Sequence, residues 1–159
     1  MKKIYLFDWG DTIMKNFPSE KGKMNTWQKV ESMPNAEKML RELTQRADCY
    51  LATNAKDSDK GDILEALERV NLHKYFKDIF CYKEIGFSKP SKEYFDTIVA
   101  RLNVGINEII FVGDNLKTDI KGAENNGIES ILYDFKDEYK DYHGARITDL
   151  LKIISDLNK

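Results

Sequence analysis

Cysteine, proline and histidine are scarce in this chain of 159 residues, which carries two, three and two of them respectively. Cys49 and Cys81 lie inside apolar segments, without CxxC spacing and without a histidine close in sequence. Metal and redox roles for them are therefore unsupported, and both read as reduced core residues. Charge of one sign is also lacking. The 25 basic and 27 acidic residues leave a formal charge of −2, which excludes an overall field that would draw in nucleic acid or an acidic membrane. No uninterrupted apolar stretch could cross a bilayer, and Met1-Lys2-Lys3 leads into a short strand-like run rather than a signal region. The expectation is a soluble cytoplasmic protein with no membrane or nucleic-acid partner.

What is present is an alternation of short apolar runs and helical patterns within a length that suits one domain over residues 1–159. Ile4-Tyr5-Leu6-Phe7 reads as a buried strand. Residues 13–32 are polar and carry too few apolar positions for a domain, so they read as a loop or short hairpin flap. Phe17, Met24 and Trp27 in that flap read chiefly as packing it onto the core, with contact to substrate or a neighbouring subunit as the alternative. Pro34 suits a first helical turn, and Met39, Leu40 and Leu43 then recur at helical spacing.

Cys49 to Ala52 is a second strand, followed by a helix that Ser58 or Asp59 can cap. Ile79 to Tyr82 is a third strand, and Ser91 can cap the helix bearing Tyr94, Phe95 and Ile98. Ile109 to Val112 is a fourth strand, Leu116 to Asn126 an amphipathic helix, Ser130 to Tyr133 a fifth strand and Ile147 to Leu157 a final helix. The run from Asp134 to Tyr142 reads as a solvated connection without chemistry, and His73 and His143 as interhelical or surface residues. Repeated strand–helix–strand units require right-handed crossovers, and so predict a mainly parallel sheet of about five strands covered on both faces.

The first strand ends in Asp8-Trp9-Gly10-Asp11-Thr12, the second in Thr53-Asn54, and the fourth in Gly113-Asp114-Asn115 with Asp119 following. Carboxylates at two strand tips suggest a divalent-metal site, where open α/β sheets place their chemistry. Taken singly, Thr53 could merely cap a turn, Lys89 could be a solvated loop lysine, and Asp114 or Asp119 could serve a helix N-terminus.

In order and placement, Asp8, Thr53, Lys89-Pro90 and Gly113-Asp114-Asn115 with Asp119 resemble the four motifs of the haloacid dehalogenase-like (HAD) hydrolase superfamily. The resemblance covers nearly the whole chain. It implies a three-layer α/β/α Rossmann-like HAD fold without a large cap domain, and magnesium-dependent phosphoryl transfer through an aspartyl-phosphate on Asp8. The metal would be held by Asp8, Asp114, Asp119 and the Gly10 carbonyl. Lys89, Thr53 and Asn54 would hold phosphoryl oxygens, with Lys89 also neutralising Asp8. Partners would be a phosphorylated small molecule or the exposed phosphate of a larger substrate. A homo-oligomer whose neighbour covers the site is the other expectation for a capless member.

One position departs from the family pattern. Phosphatases of the family carry a second Asp two residues after the nucleophile, as acid and base, and here that residue is Gly10. The vacancy generates the expectation that Asp11, or a flap group, takes over the acid role. It also generates the alternative of a catalytically weakened binding or scaffold protein. A receiver domain is the other rival class, but the paired acids after the first strand and an acceptor Asp ending the third are missing.

Overall fold

The computed structural model describes residues 2–159. Six strands form one sheet in the order β3-β2-β1-β4-β5-β6, with every pairing parallel: β1 (Ile4–Phe7), β2 (Asp48–Ala52), β3 (Ile79–Phe80), β4 (Ile109–Gly113), β5 (Glu129–Tyr133) and β6 (Arg146–Ile147). Alternation along β1 explains the two covering layers. Tyr5 and Phe7 join a core with α1 (Ala36–Leu43), α2 (Lys60–Arg69) and α6 (Leu151–Leu157), through residues such as Met39, Leu40, Ile63 and Ile153. Ile4 and Leu6 face the opposite core, with Tyr94, Phe95 and Ile98 of α4 (Lys92–Leu102) and Ala123 of α5 (Gly122–Asn125). Strands buried on both faces read as continuous apolar runs, which is what β1 and β4 show. This is the three-layer α/β/α arrangement expected.

Register decides where the chemistry falls. Phe7 lies opposite Leu51 on one side and Val112 on the other. Asp8, Thr53 and Asp114 each follow directly on the last residue of β1, β2 and β4 and so leave the sheet at the same C-terminal edge, and the Asp8 N–H still donates to the Val112 carbonyl at 2.9 Å.

Helix starts follow the capping chemistry read from the sequence. Asp59 accepts from the Asp62 N–H at 2.8 Å while Asp62 accepts from the Asp59 N–H, and Ser91 Oγ accepts from the Tyr94 N–H. The flap is a packed excursion. Met14 bridges Ser32, Met24 and Trp27 are buried, and Lys23 pairs with Asp62 of α2 at 2.8 Å. No domain is inserted here among the described residues, nor is any described helix long and apolar enough to cross a membrane.

Three local readings need correction. The third strand stops at Phe80, because Cys81 offers its carbonyl to the Glu84 and Ile85 N–H groups and Tyr82 opens a short helix, α3 (Tyr82–Ile85). The helix expected over 116–126 begins as a wide π-helical turn, Leu116–Lys121, with the Ile120 N–H reaching the Asn115 carbonyl, before α5 continues it. The last helix begins only at Leu151, since Arg146 and Ile147 are consumed as a sixth strand.

The connection after β5 is not merely solvated. Asp134 is buried and accepts from the Glu138 and Tyr139 N–H groups and from Arg146 Nε at 2.8 Å. Burial would raise its carboxyl, but these donors hold it below the usual carboxylate value. A lowered folded value stabilises the fold at neutral pH and ceases to do so as pH falls through it. Replacing Asp134→Asn should therefore destabilise the protein most above about pH 5, with the difference shrinking below about pH 4. Urea unfolding of both proteins across that range checks this, and a pH-independent difference would contradict it.

Candidate active site

The C-terminal edge of β1, β2 and β4 gathers an ionic cluster built around one lysine. Lys89, its side chain only 1% exposed, places Nζ 2.7 Å from Asp8 Oδ1 and 2.8 Å from Asp119 Oδ1. The same ammonium donates to the Ala52 carbonyl at 2.7 Å. Three donors on an ammonium thus meet three acceptors, which is how a buried lysine remains charged. Burial works against its charge, but Asp119 and Asp8 outweigh that and push its pKa above the ordinary value.

The main chain of Lys89 is fixed as well. Its N–H donates to Asn54 Oδ1 at 2.7 Å, and its carbonyl accepts from Asn54 Nδ2 at 3.0 Å. The Asn54 amide is thus occupied as a clamp linking the β2 tip to the lysine loop. Thr53 is buried, and its Oγ1 accepts from the Ala55 N–H at 3.0 Å, leaving its own proton available to a ligand.

Asp8, Asp114 and Asp119 each offer an oxygen, and these oxygens lie within 4.8 Å of one another. The π-helical turn carries Asp119 back against β4, where its Oδ2 accepts from the Asn115 N–H at 3.1 Å. Only a glycine at 113 permits this approach, since a Cβ there would fall 2.4 Å from an Asp119 carboxylate oxygen. Thr12, fully buried, lies 3.1 Å from Asp114 Oδ1 and 3.4 Å from Asp8 Oδ2, and its hydroxyl can donate to either. Reading the sequence missed Thr12 and Gly113, although both adjoin residues it did single out.

Electrostatics follows from three neighbouring carboxylates of which only two, Asp8 and Asp119, pair with the ammonium. Burial by itself would raise the Asp8 carboxyl, but the Lys89 charge and its hydrogen bonds hold it below the usual range. Burial and the adjacent Asp8 carboxylate push Asp114 up to about 8, and burial raises Asp119 to about 6 against the pull of Lys89. Hard oxygens crowded with excess negative charge are the donor set that magnesium takes. The residues present therefore fit that ion.

Two cavities open beside the cluster. One, of about 470 Å³, is lined by Asp8, Gly10, Thr53, Lys89 and Asp119 together with flap residues that include Trp27. The other, of about 450 Å³, adjoins it along Asp114 and Asn115 and is lined by Tyr133, Phe135 and Tyr139. Asp11 lines this second cavity and not the first. It has a left-handed backbone (φ 58°), and its Oδ1 accepts from the Asn16 N–H at 3.0 Å. Asp11 is thus not among the residues that line the cavity holding Asp8, Thr53 and Lys89.

Residues 6–133 match the family model of haloacid dehalogenase-like hydrolases. The chain belongs to this family. A ribulose-1,5-bisphosphate 5-phosphatase from Halopiger xanaduensis is 32% identical over 112 residues, 70% of this chain and 46% of that protein. A glyceraldehyde 3-phosphate phosphatase from Methanocaldococcus jannaschii is 31% identical over 102 residues, 60% of this chain and 45% of the relative. This HAD chain thus spans about half the length of the curated relatives it matches. Its fold superposes on an uncharacterized protein from Listeria monocytogenes with a TM-score of 0.87 at 22% identity, covering 98% of this chain and 97% of the other. It also superposes on the putative HAD-hydrolase YfnB from Bacillus subtilis, described as bound to magnesium, with a TM-score of 0.80 at 20% identity over 99% of each chain.

Removing the lysine should expose how tightly this HAD cluster is balanced. Lys89→Met leaves the Asp8 and Asp119 carboxylates buried without their cation, a change that costs about 3–5 kcal/mol when one partner of a buried pair is lost. Denaturant unfolding in a chelator measures it. A variant as stable as the wild type would show that the ammonium is not what holds these acids.

Proposed function

We propose that this HAD-family chain is a magnesium-dependent phosphatase that hydrolyses a phosphate monoester or acyl phosphate through an aspartyl-phosphate on Asp8. The observation that carries the reading is the convergence of Asp8, Asp114 and Asp119, two of them paired with Lys89, at the edge where Thr53 also follows its strand. The phosphatase names of the relatives support it and suggest a small phosphorylated metabolite as substrate.

In this reading Asp8, Asp114 and Asp119, with the Gly10 carbonyl, hold the ion. Bound there, magnesium supplies positive charge that lets an anionic carboxylate approach an anionic phosphoryl group. Lys89 keeps Asp8 ionised and oriented, so that its oxygen can form the new bond to phosphorus. The Thr53 hydroxyl donates to a phosphoryl oxygen. Asn54 serves indirectly, by fixing the main chain that carries Lys89. Thr12 braces Asp8 and Asp114 against each other.

Hydrolysis of an aryl phosphate should require magnesium and stop in a chelator, and Asp8→Asn should abolish it while leaving the fold intact by circular dichroism. Activity that persists in Asp8→Asn would refute the nucleophile. The rival reading, a binding or scaffold module, is favoured by Gly10 alone, and it predicts magnesium or phosphate binding with no turnover in the wild type.

Gly10 also yields a gain-of-function test. Beyond its own chain neighbours, no heavy atom lies within 4 Å of the position its Cβ would take, so a side chain can be accommodated. Without an acid at position 10 the wild type should favour aryl and acyl phosphates over alkyl ones, because the former leave unaided. Gly10→Asp should narrow that gap by raising turnover of an alkyl phosphate, by up to about 10²-fold, the lower end of what acid–base catalysis supplies. An unchanged ratio of the two substrates would contradict the assignment.

A further inference from the structure

We propose that Asp57 is the acid and base of the reaction; this rests on the phosphatase reading above and names a residue that reading leaves open. Phosphoryl transfer to Asp8 expels an alkoxide that needs a proton, and a second step needs a group to take a proton from attacking water. The ionisable side chains that line the Asp8 cavity are Asp8, Asp57, Lys89, Asp114 and Asp119. Four of these are bound to one another in the cluster: Lys89 pairs with Asp8 and Asp119, and Asp114 shares the metal-binding oxygens. Asp57 is the remaining one. Asp11, the neighbour the sequence suggested for the role, opens into the adjoining cavity.

Asp57 sits on the connection from β2 to α2, on the same loop as Thr53, so it is carried by the segment that would grip the phosphoryl group. Its Oδ1 accepts from the hydroxyl of buried Ser58 at 3.1 Å, which anchors one oxygen. The other oxygen has no protein donor among the described residues, and Asp57 is exposed, so that oxygen is free to meet a substrate. Gly10 lines the same cavity and leaves open space where a side chain would stand.

The two steps balance. In the first, an Asp8 carboxylate oxygen bonds to phosphorus as the bond from phosphorus to the ester oxygen breaks, and the Asp57 carboxyl gives its proton to that departing oxygen. In the second, the Asp57 carboxylate takes a proton from water while the water oxygen bonds to phosphorus. The bond from phosphorus to Asp8 then breaks, releasing inorganic phosphate and restoring both acids.

Asp57→Asn keeps an acceptor for Ser58 but replaces the carboxyl by an amide that can neither give nor take the proton, so it is the variant to test, with magnesium present throughout. On an alkyl phosphate, turnover should fall by about 10²–10⁴-fold. On p-nitrophenyl phosphate, whose leaving group departs unaided, rapid mixing should show a burst of about one equivalent of nitrophenolate followed by slowed turnover, because only the second step still needs the base. Asp57→Glu should recover part of the alkyl turnover. An absent burst with an intact fold, or no loss on either substrate, would overturn the role of Asp57. Those results would leave the phosphatase reading standing so long as the wild type remains active and Asp8→Asn does not. A wild type inactive on both esters would bring down that reading and this one together.

Discussion

The ammonium of Lys89 is the interaction on which the site depends. It is nearly sealed from solvent, yet it meets Asp8, Asp119 and the Ala52 carbonyl at 2.7–2.8 Å. A buried ion pair is rarely a net gain in stability over apolar packing, because taking both charges out of water costs as much as their attraction returns. Its value here is positional and electrostatic. The lysine holds Asp8 ionised while tying together residues from three separate parts of the chain, and the Asn54 amide then fixes the lysine's own main chain.

The sheet makes that convergence inexpensive. With β1 between β2 and β4 and in register with both, the residues that follow these strands emerge side by side without any strained excursion. The remaining element, Asp119, comes from a widened helical turn that folds back over Gly113. Cluster and core are therefore continuous. Leu6, Phe111 and Phe95 pack directly beneath the edge that carries the acids, with Phe95 and Phe111 in edge-on contact at 5.8 Å between ring centres.

Much of this was legible in the sequence because it is encoded locally. Apolar runs that end in Asp8, Thr53 and Asp114 announce buried strands and their tips together, and Asp59 and Ser91 announce helix starts through their own hydrogen bonds. What escaped was encoded at a distance. Arg146 and Ile147 form a strand only because β5 offers an edge and Asp134 accepts from Arg146, and two residues are too few to show a period. The π-helical turn has no compositional mark. Asn54 looked like a phosphate ligand because it follows Thr53, yet its amide is spent on a residue 35 positions away. Asp11 looked like a substitute acid because of its place in sequence, but it lines the adjoining cavity, whereas Asp57 lines the Asp8 cavity from a loop without any motif.

The account stands most directly on the bond it assigns between Asp8 and phosphorus. Acid quenching of the protein with magnesium and a ³²P-labelled aryl phosphate, followed by peptide mapping, reads that bond. The label should appear on the peptide that contains Asp8, with the lability to hydroxylamine of an acyl phosphate. Turnover with no label on any peptide, or label on a peptide lacking Asp8, would contradict the account.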